Sequence, residues 1–122
     1  SSQPPGDGPM LILAPSSEDQ DWPPERWLAL PKSISTRLAT LRSSTLDPGL
    51  PMRRRAAAVA CADVILSSCA MTQRLAVYFG IPLVALGATP TDFPPRGDIR
   101  CLGVRSDLAS LTEQEVLDAL GF

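Results

Sequence analysis

The sequence contains no histidine and no asparagine, and it has only three cysteines and one tyrosine among its 122 residues. Histidine is the commonest general base at neutral pH and the commonest metal ligand, so Ser-His-Asp, Cys-His and zinc-hydrolase sites are excluded. The absence of asparagine excludes N-glycosylation. Cys61, Cys69 and Cys101 are odd in number and form no CxxC pair. Neither a structural zinc site nor a disulfide framework is supported, and no metal or cofactor is predicted.

The sequence also lacks a large excess of either positive or negative charge, and it lacks long apolar runs. Eleven Lys and Arg residues stand against 13 Asp and Glu, which leaves a formal net charge of −2. This balance excludes a broad nucleic-acid footprint. No apolar run approaches the roughly 18 residues of a spanning helix, and no signal-peptide pattern opens the chain. A cytoplasmic protein without a transmembrane segment or a nucleic-acid partner is therefore expected.

The length and composition indicate one globular domain. The chain is 44% hydrophobic and 20% charged, which is typical of a folded protein rather than a disordered one. The opening SSQPPGDGP is rich in Pro, Gly and Ser and has no apolar side chain to bury. We predict a flexible linker over residues 1–9 and a folded domain over 10–122.

Apolar runs alternate with segments of helical character along this domain. The runs are apolar throughout, as in strands that are covered on both faces of a parallel sheet. The fold class predicted is α/β, a three-layer Rossmann-like domain with a mostly parallel sheet. The strands are expected at 10–14, 37–41, 64–67, 81–86 and 99–102. The helices are expected in the segment 22–30, beginning at its prolines and ending near Pro31, and at 52–62, 72–79 and 113–120.

Small polar residues follow three of the predicted strands. The segments are Pro15–Ser17, Ser67–Cys69 and Gly87–Thr89. Ligands of open α/β sheets bind beyond the carboxyl ends of the strands, so these loops are expected to converge on one crevice. The candidate ligand-binding residues in it are Ser16, Ser17, Ser68, Cys69 and Thr89. No residue is assigned a catalytic role.

Three segments carry a family resemblance. WPPERWLAL at 22–30 follows an apolar strand, ADVILSS occupies 62–68, and LAVYFGIPLVALGATPTD occupies 75–92. Together, over about 12–92, they resemble the carboxyl-terminal half of family 9 glycosyltransferases, the ADP-heptose:lipopolysaccharide heptosyltransferase group. The resemblance implies one half of a GT-B architecture, the half that binds the nucleotide sugar. Asp92 matches the family's GPTD turn, which it is expected to organise.

The diphosphate motif of that family is degenerate in this sequence. The family's Asp-Thr/Ser-Gly-Pro-x-His loop falls on residues 69–74, where Cys69, Met71 and Arg74 replace the Asp, Gly and His. The family glycine admits a close approach of backbone N–H groups to the diphosphate, and the histidine donates to phosphate. Arg74 keeps a charged donor and is the sixth ligand-binding candidate. Gln20 stands where many members carry lysine.

Two hypotheses for function follow. The first is a family 9-like domain that binds a nucleotide-sugar donor and is inactive by itself, because the acceptor-binding amino-terminal half lies outside this chain. The alternative is a degenerate, non-catalytic domain that has a protein partner and acts as an interaction or assembly module. The replacements in the diphosphate loop favour the alternative, and the three matching segments favour the first.

Several other residues are interpreted structurally. The basic cluster Arg53–Arg55 is expected to form a solvated helix face rather than a phosphate grip. Cys61 and Cys101 are expected in the core, as free cysteines usually are. Trp22 and Trp27 are expected to anchor the first helix against the sheet. With no histidine base in the chain, Cys69 is not expected to act as a nucleophile.

Overall fold

A computed structural model describes residues 8–122, and its centre is one sheet of five parallel strands. The spatial order of the strands is β2-β1-β3-β4-β5, which confirms the α/β fold class. The strands are β1 (Met10–Ala14), β2 (Arg42–Thr45), β3 (Val64–Ser67), β4 (Leu83–Leu86) and β5 (Ile99–Leu102), the helices are α1 (Pro24–Arg37), α2 (Met52–Ala60), α3 (Ala70–Phe79) and α4 (Glu113–Leu120), and two short 3-10 helices cover Pro90–Asp92 and Arg105–Ser110.

Helices cover both faces of the sheet and make three layers. On one face, Leu11 and Leu13 of β1 pack with α1 and α4. On the other face, Ile12 and Ala14 pack with α2 and α3. Successive side chains of a strand point to opposite faces, so the uninterrupted apolar sequence of β1 supplies both cores.

The first helix is longer than the sequence predicts. It was expected to end near Pro31 but continues to Arg37 with Pro31 inside it. An internal proline removes one helical hydrogen bond. The longer helix buries Ile34 on the same face as Trp27 and Leu30, and this burial offsets the lost bond.

The second strand is displaced from its predicted position. It was expected at 37–41 and lies at Arg42–Thr45, paired in register with Met10–Leu13 of β1. All four of its residues are exposed and polar or charged. An edge strand of this kind has no apolar pattern, so its position is set by pairing with β1.

The end of α3 and the start of α4 follow the sequence signals. Gly80 ends α3 in the left-handed conformation with a φ of 72°. Thr112 caps α4 by accepting from the backbone N–H of Glu115, and the Glu115 carboxylate accepts from the Thr112 backbone N–H. These reciprocal bonds confirm the capping box.

The two tryptophans anchor α1 as predicted, whereas the interpretation of one cysteine, Cys61, was wrong. Trp22 and Trp27 are buried against each other edge to face, with ring centroids 5.2 Å apart. Cys61 is exposed at the end of α2 instead of packing in the core. Cys101 of β5 is half-buried and packs against the core on the face covered by α2 and α3.

The predicted linker 1–9 lies largely outside the described residues. Of its residues, Gly8 and Pro9 are described, and their carbonyl groups accept hydrogen bonds from the side chain and backbone of Arg42. No helix within residues 8–122 has both the length and the apolar character needed to cross a membrane.

Candidate functional site

The loop between β1 and α1 is held by the Asp21 carboxylate. Its oxygens accept hydrogen bonds from the backbone N–H groups of Ser16 at 3.2 Å and Trp22 at 2.7 Å, and from the Ser68 hydroxyl. The Ser68 oxygen in turn accepts from the Ser16 N–H at 3.1 Å. Polar groups that close a loop in this way fix the path of residues 15–21 at the end of β1.

The loop between β3 and α3 leads directly into an uncapped helix terminus. Ser67 Oγ accepts from the backbone N–H of Cys69, which is the residue before the first turn of α3. No side chain caps this helix, and within the described residues the backbone N–H groups of Ala70 and Met71 make no hydrogen bond. Free N–H groups and the helix dipole together favour an anion at this position.

Arg105 joins the two loops, and it was missed by the sequence analysis. Its guanidinium donates to the carbonyl oxygens of Gln20 at 3.2 Å, Ser68 at 2.7 Å and Leu86 at 3.5 Å. These three acceptors lie at the ends of different strand-loop units. No local motif around Arg105 signals this role, since it depends on a contact with residues up to 85 positions away.

A cleft of about 590 Å³ opens between the β1–α1 loop and α3. Its polar side includes Ser16, Ser17 and Glu18. Its other wall is the face of α3 that carries Met71, Arg74, Leu75 and Tyr78, together with Met52 of α2, Cys69 and Ala70. The cleft therefore combines one cationic side chain, one anionic side chain and free N–H groups with an apolar wall.

A smaller cleft of about 280 Å³ lies on the other side of the first turn of α3. Its lining includes Gln73, Asp92 and Phe93, and it shares Ala70 and Arg74 with the large cleft. The side-chain amide of Gln73 donates to Ser67 O at 2.8 Å and is almost fully buried. The two clefts thus meet at the terminus of α3.

The structure brings four of the six predicted ligand-binding residues together. Ser16, Ser17, Cys69 and Arg74 line the large cleft. Ser68 is fully buried, and its hydroxyl is used within the protein by Asp21 and Ser16. Thr89 lies outside the lining of both clefts, and its hydroxyl and backbone N–H both donate to Asp92.

The Thr89 contacts also fix the role of Asp92 in the turn after β4. Its carboxylate accepts from the Thr89 N–H at 3.1 Å and from the Thr89 hydroxyl at 3.0 Å. Asp92 therefore organises this turn, as the sequence predicted. It also lines the small cleft.

One member of the basic cluster was interpreted wrongly. Arg53 and Arg54 are exposed as predicted, but Arg55 is only 1% exposed. Its guanidinium donates to the Thr72 hydroxyl and to three carbonyl groups of the loop before α2. Helical periodicity turns Arg55 towards α3 while its neighbours in sequence face water.

The comparisons with known proteins bear on the fold. No protein-family model matches the sequence, and no curated protein matches it. A search of solved structures finds the ADP-heptose lipopolysaccharide heptosyltransferase II of E. coli, with a TM-score of 0.68 and 20% sequence identity. The match covers 95% of this chain and 46% of that one, so this chain spans about half the length of the enzyme it resembles. The likeness shows the fold: this chain folds like about one half of that enzyme.

Proposed function

We propose that this chain is the nucleotide-sugar-binding half of a heptosyltransferase-type glycosyltransferase, with the donor diphosphate held over the first turn of α3. The observation that carries the proposal is the uncapped terminus of α3 opening between the two clefts, with Arg74 in the lining of both. Backbone N–H groups and a guanidinium are the donors that phosphate oxygens prefer.

The two clefts differ in size, and each would take one end of such a donor. A nucleotide sugar has a nucleoside and a sugar joined by the diphosphate. The larger cleft would take the nucleoside, with the base against Met52, Leu75 or Tyr78 and the ribose near Ser17 or Glu18. The smaller cleft would take the sugar, whose hydroxyl groups would donate to Asp92.

Sugar transfer needs a second half that binds the acceptor. The E. coli enzyme is about twice as long as the region that this chain matches. We therefore propose that the 122 residues bind the donor but do not transfer the sugar by themselves. The described residues offer no histidine, and neither cleft is assigned a catalytic base.

A second candidate function is an interaction module that has lost donor binding. Met71 stands at the glycine position of the family loop and is 45% exposed at the mouth of the large cleft. Met52 and Tyr78 add exposed apolar surface, at 48% and 81% exposure. This apolar wall would suit a protein partner as well as a nucleoside, so ligand binding has to separate the two candidates.

The test is a titration of the purified chain with ADP, UDP and GDP and their sugar conjugates, followed by ligand-observed NMR and thermal unfolding. A donor that binds the folded state raises the melting temperature with concentration. Arg74→Ala is expected to weaken binding by about tenfold, because a charged hydrogen bond to phosphate is lost. Arg53→Ala is the matched control, since Arg53 is equally exposed but lies outside both clefts.

The outcomes separate the two functions. Selective binding that Arg74→Ala weakens and Arg53→Ala preserves supports the donor site. Absence of binding by every nucleotide tested overturns it and favours the interaction module. Equal weakening by both substitutions would indicate non-specific attraction of an anion to surface charge, and would also count against the site.

A further inference from the structure

Arg55 is a buried cation without a counter-ion among the described residues. Its Nη1 donates to Thr72 Oγ1 at 2.9 Å, and its Nη2 lies 3.0, 3.1 and 3.2 Å from the carbonyl oxygens of Asp47, Pro48 and Leu50. All four acceptors are neutral. Within residues 8–122, no carboxylate oxygen lies within 4.0 Å of the guanidinium, and Arg55 Nε is buried without a partner.

Burying a charge in this way is energetically unfavourable if the contact serves only to hold a loop in place. An uncompensated charge in the interior carries a large desolvation penalty, which carbonyl dipoles offset only in part. The charge of Arg55 therefore calls for a role of its own.

The position of the guanidinium, next to the first turn of α3, indicates what that role is. Thr72 belongs to the first turn of α3, immediately after Ala70 and Met71, which line the large cleft. Met52, one helical turn before Arg55 in α2, also lines it. The guanidinium thus lies directly behind the cleft wall, on the same side as the positive end of the α3 dipole. Because the intervening medium is protein rather than water, its field at the cleft is weakly screened.

We propose that Arg55 is a positioning residue that gives the large cleft its preference for ligands with more negative charge. It orders the first turn of α3 through Thr72, and its charge adds to the potential of the free N–H groups without contact with the ligand. The proposal rests on the proposed function in so far as the cleft binds a nucleotide. It goes further in stating that the preference for diphosphate over monophosphate originates behind the cleft and not in its lining.

The experiment compares AMP and ADP by calorimetric titration of the full chain and three variants. Arg55→Met removes the charge and keeps the length, Arg55→Lys keeps the charge, and Thr72→Val removes the contact to α3. Arg55→Met is expected to reduce the ratio of ADP to AMP affinity by about five- to tenfold, because the more highly charged ligand loses more stabilisation. Arg55→Lys and Thr72→Val are expected to keep this ratio within about twofold, since the charge remains.

The affinity ratio, unlike stability, does not change for a residue that only holds the fold together. A uniform loss of AMP and ADP affinity in Arg55→Met would assign Arg55 a structural role and overturn the proposal. If Arg55→Met does not fold, as its far-ultraviolet circular dichroism would reveal, the Lys and Val variants decide. Both variants keep the charge, so a collapse of the ratio in either one overturns the proposal, and its retention in both supports it. Wild-type protein that binds ADP no more tightly than AMP overturns this proposal alone, whereas failure to bind either nucleotide overturns the proposed function as well.

Discussion

The Ser68 hydroxyl donates a hydrogen bond to the Asp21 carboxylate across 47 positions of sequence. This contact joins the loop after β1 to the loop after β3, and it places Ser16 and Ser17 beside Cys69 at the cleft. Ser68 therefore builds the site from behind, with its hydroxyl already occupied. Ser17 and Ser68 both follow the end of a strand, but Ser17 lines the cleft whereas Ser68 is fully buried and holds the loops in place.

The Asp21 carboxylate is expected to hold the β1–α1 loop in place. Asp21→Ala removes the acceptor of two backbone N–H groups and one hydroxyl, so the free energy of unfolding should fall by about 1–3 kcal/mol. Urea denaturation measures this loss. Asp19→Ala is the control, because Asp19 lies in the same loop, is exposed and makes no hydrogen bond among the described residues. Equal stability of the two variants would contradict the role of Asp21.

Gly87 is expected to tolerate no side chain. Its φ is +79°, and a Cβ there would lie 3.0 Å from Arg105 Nε and 3.4 Å from Arg105 Cα. Gly87→Ala should lower the free energy of unfolding by about 2 kcal/mol through backbone strain and displacement of Arg105. Gly97→Ala is matched to it, since no atom lies within 4 Å of the added Cβ. A destabilisation as large at Gly97 would show that the effect comes from loss of glycine itself.

The cysteines are expected to react with alkylating reagents in a fixed order. Cys61 is exposed at the end of α2. Burial raises the pKa of the Cys101 thiol, and the nearby Asp92 carboxylate raises it further. Because the thiolate is the reactive form, iodoacetamide near neutral pH should modify Cys61 well before Cys101. Peptide mass spectrometry of timed samples measures both rates, and faster labelling of Cys101 would contradict the described packing of β5.

The capping box of α4 is expected to contribute to acid sensitivity. Hydrogen bonds from the backbone and hydroxyl of Thr112 lower the pKa of the Glu115 carboxyl from its ordinary 4.5. A carboxyl with a lowered pKa in the folded state stabilises the fold fully above the unfolded value, and this contribution is lost as pH falls through the folded value. Glu115→Gln should therefore show a shallower loss of stability below about pH 4.5.

Thermal unfolding from about pH 3 to about pH 7, the range in which carboxyl groups titrate, measures how steeply stability falls with pH. Thr112→Ala provides a second variant, because it removes the hydroxyl that donates to Glu115. Its acid slope should lie between those of the wild type and Glu115→Gln. Identical slopes in all three proteins would exclude a contribution from this carboxyl group.

Local patterns in the sequence determined much of the architecture. The apolar run Met10–Ala14 predicted a strand covered on both faces, and it is an interior strand of the sheet, between β2 and β3. Gly80 and the Thr112–Glu115 pair predicted the end of α3 and the start of α4. Strand burial and helix capping depend on residues a few positions apart, so both can be predicted from the local sequence.

The tertiary structure alone decided the length of α1, the register of β2 and the division of labour within the site. Pro31 remains inside a helix because burial of Ile34 outweighs the lost hydrogen bond. Arg55 and Arg105 act through carbonyl and hydroxyl groups of other elements, contacts that no local pattern records. The sequence by itself placed small polar residues at the ends of parallel strands. Packing decided which of these residues face the cleft and which use their hydrogen bonds to hold its loops in place. Burial and hydrogen-bond partners are defined only when distant segments of the chain come together.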